Sequence, residues 1–186
     1  MNFNQHSAIQ GTHALLSASS SAWLNYDAEK LETWFALQLA KQEGAELHEL
    51  AATLIKKGVK LPDNGLTLSM YVNDAIGFRM TPEQPLFYSF NCYGTADAIS
   101  FRDGLLRVHD LKTGVTKASM RQLEVYCALF CLEYDVKPGE IEMECRIYIQ
   151  DDIKFHTPEV IDIAQIMSTI VSHDRRLTEM RLEAQR

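Results

Sequence analysis

The dipeptide Asp103-Gly104 constrains this chain more than any other feature. It stands between two runs that read as strands, Tyr93 to Arg102 and Leu105 to Lys112. A two-residue type I′ turn needs positive φ at both central positions, which Asp-Gly accommodates well, so the spacing predicts an antiparallel hairpin. Counting outward from the turn, Arg102 faces Leu105, Asp97 faces Asp110 and Thr95 faces Lys112. Directly opposed residues on one sheet face hold their Cβ atoms roughly 5 Å apart. Two carboxylates so placed repel unless a positive group lies between them. A divalent cation such as Mg2+ or Mn2+, which prefers hard oxygen ligands, meets that need. Lys112 lies two residues beyond Asp110 and shares its face, where it could hold a nucleophilic water or offset charge developing on a phosphate. Taken alone, Asp110-Leu111-Lys112 also fits a solvated ion pair of little consequence.

The rest of the chain supplies elements to enclose the hairpin. Its 186 residues suit a single domain, 1–186, and 46% hydrophobic content suffices for an ordinary core. Between His13 and Tyr26, serines 17, 19, 20 and 21 precede Trp23 and Leu24, as N-caps precede a short amphipathic helix; the same serines could hold a phosphate at a helix start. Glu29 to Lys57 is helical in pattern, with a bend or break expected at Gly44 and a stripe of Leu47, Leu50, Ala51, Leu54 and Ile55 ending at Gly58. His48 falls on the flank of that stripe, and Gly44, one turn earlier, leaves room for a close neighbour. A further helix carries Leu68, Tyr71, Val72, Ala75 and Ile76 and ends near Gly77. Beyond Pro82 and Pro85 the period becomes two, predicting a strand from Leu86 to Cys92. Ser119 to Tyr134 is helical and opens on a capping-box pattern, Ser119-x-x-Gln122. Glu140 to Ile149 alternates as a strand with one wet face, and Pro158 to Arg186 is helical with a basic end.

Other readings are bounded by composition. A net charge of −7 argues against coating nucleic acid through bulk charge. No apolar run approaches the ~18 residues needed to span a bilayer, and Met1 to His6 lacks a basic region followed by an apolar stretch. The expectation is a soluble, cytoplasmic protein. Cys127 and Cys131, four apart on a helix, could share a zinc or iron-sulfur site with two further ligands, but no Cys-x-x-Cys pair or Cys/His cluster accompanies them; core thiols are the expectation.

Four short pieces occur in order over about 83 residues: Glu43-Gly44-x-x-x-His48-Glu49-Leu50, Gly94-Thr95-Ala96-Asp97, Asp110-Leu111-Lys112-Thr113-Gly114 and Gln122-Leu123-x-x-Tyr126. They fall on an expected helix, strand, strand and helix. In these the chain resembles the RecB-like branch of the PD-(D/E)XK nuclease superfamily, which also includes lambda-type exonucleases and CRISPR-associated nucleases. Leu16-Ser17-Ala18-Ser19 through Trp23-Leu24-Asn25 looks like the opening of RecB-like proteins encoded in phages and prophages.

The resemblance implies an α/β fold with a restriction-endonuclease-like core, a central mixed sheet flanked by helices. It implies that His48, Asp97, Asp110 and the carbonyl of Leu111 hold Mg2+ or Mn2+, and that Lys112 positions the attacking water. Gln122 and Tyr126, i and i+4 on one helix face, would orient the lysine and a substrate phosphate. From the residues alone, His48 also fits a helix-flank histidine bonded to a neighbour, Gln122 a cap and Tyr126 a core aromatic. The implied activity is hydrolysis of DNA phosphodiesters. An exonuclease resecting linear duplex ends in phage recombination or DNA processing, beside a single-strand annealing protein, is the leading form. An endonuclease, or a non-catalytic DNA-binding or virion protein, is the alternative, and a homo-oligomer would suit processive digestion. Some RecB-like nucleases carry an iron-sulfur cluster; Tyr26 stands near its early cysteine position and only Cys145 follows the Gln122 helix, so no cluster is expected. Lys117, Arg121 and Arg175 to Arg186 are candidates for DNA-backbone contacts or a solvated basic surface.

Overall fold

Asp103 and Gly104 adopt φ of 51° and 79°, as a type I′ turn demands. They join β2 (Cys92–Arg102) to β3 (Leu105–Lys112), paired in the expected register from Arg102↔Leu105 to Ala98↔His109. The structure, a computed structural model, describes residues 4–114 and 119–185. Its chain packs as two units, Met1–Gln42 and Glu43–Arg186.

In the first unit, Ser7–Ile9 and Ser21–Asn25 form single 3₁₀ turns and the long helix α1 (Ala28–Lys57) begins. The amphipathic helix expected within residues 13–26 is thus shortened to one turn. Its serines are otherwise engaged: Ser17 and Ser19 hydroxyls bond each other at 2.8 Å, Trp23 Nε1 donates to the Ser17 carbonyl, and Ser20 makes no side-chain cap. Asp27 does the capping instead, accepting the Lys30 amide at 2.8 Å at the start of α1. Helix α1 continues through Gly44 without the expected break, since a mid-helix glycine costs only about 1 kcal/mol.

The second unit holds a five-stranded mixed sheet in the order β1-β2-β3-β4-β5, completed by β1 (Thr81–Ser89), β4 (Glu142–Ile149) and β5 (Asp152–His156). Only β3 and β4 run parallel, and the helix α3 (Met120–Glu133) connects them. One sheet face packs Leu106, Val108, Cys145 and Ile147 against Leu123, Cys127 and Cys131 of α3 and Ile163 and Ile166 of α4 (Val160–Ala184). The other packs Ala98, Leu111 and Tyr148 against Ala51 and Ile55 of α1 and Tyr71, Val72 and Ala75 of α2 (Thr67–Gly77). The chain is therefore α/β with a mixed sheet between helical layers. Cys127 and Cys131 are core thiols.

Three departures have physical reasons. Strand β1 starts at Thr81, taking in Pro82 and Pro85, because an edge strand needs only half of its amides for pairing; it turns back before Cys92. The expected wet face of β4 is partly covered: Tyr148 is fully buried, its hydroxyl donating to Asp74 at 2.7 Å, and Arg146 lies over the Phe78 and Phe155 rings. Long amphipathic side chains bury their bodies while keeping a polar tip engaged. Strand β5 was not expected, since its turn, Gln150-Asp151, takes positive φ without glycine. Thr67 holds that turn, its amide and hydroxyl donating to Asp151 Oδ1 and its hydroxyl accepting the Asp151 amide at 2.7 Å.

Gly104→Ala places a Cβ in a left-handed conformation and should cost about 1–2 kcal/mol. The expected result is a lower urea midpoint with an unchanged m-value, because the hairpin is strained rather than lost.

Candidate metal and catalytic site

The site forms where β2 parts from β3. Their ladder ends at Ala98↔His109, one pair short of the expected Asp97–Asp110 pairing, and the Asp97 carboxylate itself accepts the Leu111 amide at 2.9 Å. Ala96 and Ala98 should share a face, yet they join opposite cores, so the alternation of β2 slips by one step at Asp97. On the neighbouring edge strand, Glu83 sits between the paired residues Pro82 and Gln84 with φ of 50°. The simple cross-strand picture of two opposed aspartates is corrected accordingly: like charges part the strands, and one carboxylate fills the gap as a hydrogen-bond acceptor.

The two carboxylates remain electrostatic neighbours. Burial foremost, and Asp110 next, push the Asp97 carboxyl up to about 6, against the pull of the Leu111 amide and His48. Asp110 is only 2% exposed; burial raises its carboxyl, and the Lys112 ammonium, donating to Oδ1 at 2.9 Å, holds it down. Its Oδ2 is buried with no hydrogen-bond partner among the described residues. An orphaned buried acceptor costs about 1–3 kcal/mol. From α1, His48 presents Nδ1 at 3.5 Å from Asp97 Oδ2.

Lys112 also reaches Gln122 Oε1 at 3.4 Å, and Gln122 Nε2 reaches the Tyr126 hydroxyl at 3.3 Å. The Ser119 side chain makes no cap bond, so the side chain of Gln122 serves this chain of contacts rather than a capping box. Tyr126 does two things, resting its ring against the core and offering its hydroxyl here. The motif glycines are close-approach positions. A Cβ on Gly44 would stand 2.8 Å from Thr113 Oγ1, and one on Gly94 3.0 Å from the Tyr126 ring. His109 points the other way, buried against Phe78 and Tyr148.

His48, Asp97, Asp110, Lys112, Gln122 and Tyr126 are therefore gathered about the middle of β2 and the end of β3, with the Leu111 amide bonded to Asp97. Two carboxylates, one of them with a buried oxygen unpartnered among the described residues, and an imidazole suit a hard divalent cation, so these residues fit Mg2+ or Mn2+. Clefts of about 340 Å³, lined by Lys112, Thr113 and Thr67, and about 460 Å³, lined by His48, Glu83 and Asp97, open beside them. Glu83 is the site residue that sequence reasoning missed. Starting the edge strand at Leu86 left it outside; extending the β1–β2 pairing through the prolines would have brought it to Asp97.

Of the basic candidates, Arg121 pairs with Glu124 at 2.9 Å and Arg176 with Glu179 at 3.4 Å, while Arg175 and Arg181 lie exposed on α4. Lys117 and Arg186 lie outside the described residues. No helix among the described residues is long and apolar enough to cross a membrane. No family model, curated protein or solved structure matches this chain.

Proposed function

We propose that this chain is a metal-dependent deoxyribonuclease with a restriction-endonuclease-like core, acting as an exonuclease on the ends of linear duplex DNA. One observation carries the reading: Lys112 lies 2.9 Å from the buried Asp110, whose second oxygen has no partner among the described residues, beside the His48–Asp97 pair. That arrangement has a place for a cation and a cationic side chain next to it. Bound Mg2+ or Mn2+ would supply Lewis acidity toward the phosphate and lower the pKa of water.

The residues of the chain do the rest. The ammonium of Lys112 has three hydrogens; with one on Asp110 and one on Gln122, the third is free to hold a water or a phosphate oxygen. Gln122 donates to the oxygen of Tyr126, leaving the phenol hydrogen to be given to a phosphate. In the hydrolysis the water oxygen gives up a proton to solvent as it forms a bond to phosphorus, the bridging phosphorus–oxygen bond breaks, the departing oxygen takes up a proton from solvent, and Lys112 offsets the charge that develops. The net charge of −7 fits a protein that engages DNA through its cleft and its metal rather than through bulk electrostatics. The phage-like opening supports a role in recombination or DNA processing inside a host cytoplasm, with a single-strand annealing protein as partner and a homo-oligomer as the processive form.

Gly94→Ala tests the support of Tyr126. The added methyl forces the ring to yield, and a displacement of this kind should lower turnover about tenfold at nearly unchanged thermal stability. The class of activity is settled by incubating end-labelled linear duplex and covalently closed circles with Mg2+, Mn2+ or chelator. Loss of linear DNA alone is expected; nicked circles would make the protein an endonuclease, and no cleavage of either substrate in any condition would leave a non-catalytic DNA-binding or virion protein.

A further inference from the structure

We propose that Glu83, on the edge strand β1, is a ligand for a divalent cation together with His48 and Asp97. This rests on the reading above that the site holds Mg2+ or Mn2+, and adds to it a donor from β1, a strand that carries none of the motif residues but pairs with Gly94, Thr95 and Ala96 of β2. One ligand atom each from His48, Glu83 and Asp97 lie within 4.8 Å of one another. Ligands about 2.1 Å from one magnesium- or manganese-sized ion stand up to about 4.2 Å apart, so a small inward movement of the exposed Glu83 side chain toward the half-buried His48 and Asp97 closes the set.

An independent sign of a ligand stands beside this group. Asp110 is 2% exposed, its Oδ2 lacks a partner among the described residues, and its charge bears on Asp97 while His48 bears on it in turn. Glu83 belongs to the same electrostatic neighbourhood: the buried Tyr71 phenol is held above its ordinary range by burial first, then by Asp97, Glu83 and Asp110. The positive φ of Glu83 turns the edge strand where β2 slips, and its carboxylate stands within 4.8 Å of Asp97. The same residue lines the cleft that also exposes His48 and Glu49.

Manganese alone is the probe, titrated calorimetrically into the full chain at pH 7.5. Glu83→Gln is compared with Glu49→Gln, which removes an equal charge from the same cleft without touching the cluster. Glu83→Gln is expected to weaken Mn2+ binding about tenfold or more, and Glu49→Gln by less than about threefold. Glu83→Asn, a residue tolerant of positive φ, should weaken binding as much as Glu83→Gln, separating ligation from strain. Equal effects of the Glu83 and Glu49 variants would overturn the assignment of Glu83 while leaving the metal site standing. No Mn2+ binding by the unsubstituted chain would overturn both.

Discussion

Lys112→Ala should lower Mg2+-dependent hydrolysis of linear duplex DNA by about 10²–10³-fold, the usual effect of removing a preorganised electrostatic donor. The side chain is placed for this by two neighbours, Asp110 Oδ1 at 2.9 Å and Gln122 Oε1 at 3.4 Å. Because it shares a strand face with Asp110, no backbone change is needed to remove it. Mn2+ binding should survive, since the ammonium is not a ligand and its loss relieves repulsion toward the ion. The comparison belongs in Mg2+, because in chelator the variant leaves both oxygens of a buried Asp110 without a cation. Single-turnover rates at saturating enzyme separate the chemical step from DNA binding. A rate within about threefold of the unsubstituted protein would remove Lys112 from the mechanism.

Asp97→Asn should abolish detectable hydrolysis yet stabilise the metal-free protein at pH 8. Asparagine keeps an acceptor for the Leu111 amide but carries no charge beside Asp110. The aspartate carboxyl, ordinarily near 3.8, is pushed up to about 6 in the folded chain, so the folded state binds its proton more tightly than the unfolded state. Stability therefore falls as pH rises through this interval. The cost of the charged form is full above about pH 6, shrinks as pH drops through that value, and is gone below the unfolded value near 4. Two pK units correspond to about 3 kcal/mol as an upper bound; allowing for the lost His48 contact, a gain of about 1–2 kcal/mol at pH 8 is expected. For a chain of this length that raises the melting temperature by roughly 2–4 °C per kcal/mol. Thermal melts in chelator at pH 8 and pH 4.5 should show the difference between variant and parent closing on acidification. A variant less stable than its parent at pH 8 would show that the Asp97 charge is not a burden on the metal-free fold.

The fold is legible in the sequence where local chemistry decides it and hidden where groups distant in the chain do. The hairpin could be read to the residue because Asp103-Gly104 is a local signal, and local backbone chemistry decides a two-residue turn. The register built on it held as far as Ala98↔His109 and failed at Asp97, where electrostatics between non-adjacent groups overrides the ladder. The grouping of His48, Lys112, Gln122 and Tyr126 survived that failure, since it depends on which elements meet at the middle of β2 and the end of β3 rather than on one pair. Strand β5 and the buried face of β4 were hidden for a different reason. Thr67 of α2 holds the Gln150-Asp151 turn, and α2 covers Tyr148, so both depend on contacts some 80 residues distant. Glu83 combines the two difficulties, lying past prolines that mask the strand and in a left-handed conformation that alternation does not anticipate.

The central claim, that the His48–Asp97–Asp110–Lys112 constellation hydrolyses DNA with a divalent cation, is met most directly by one measurement: release of acid-soluble nucleotide from uniformly labelled linear duplex by the purified full chain, in Mg2+ and in chelator, beside Lys112→Ala. Steady release in Mg2+ by the unsubstituted protein, none in chelator, and about 10²–10³-fold less from the variant are expected. Equal release by both proteins, or none from either in Mg2+ or Mn2+, would contradict the claim.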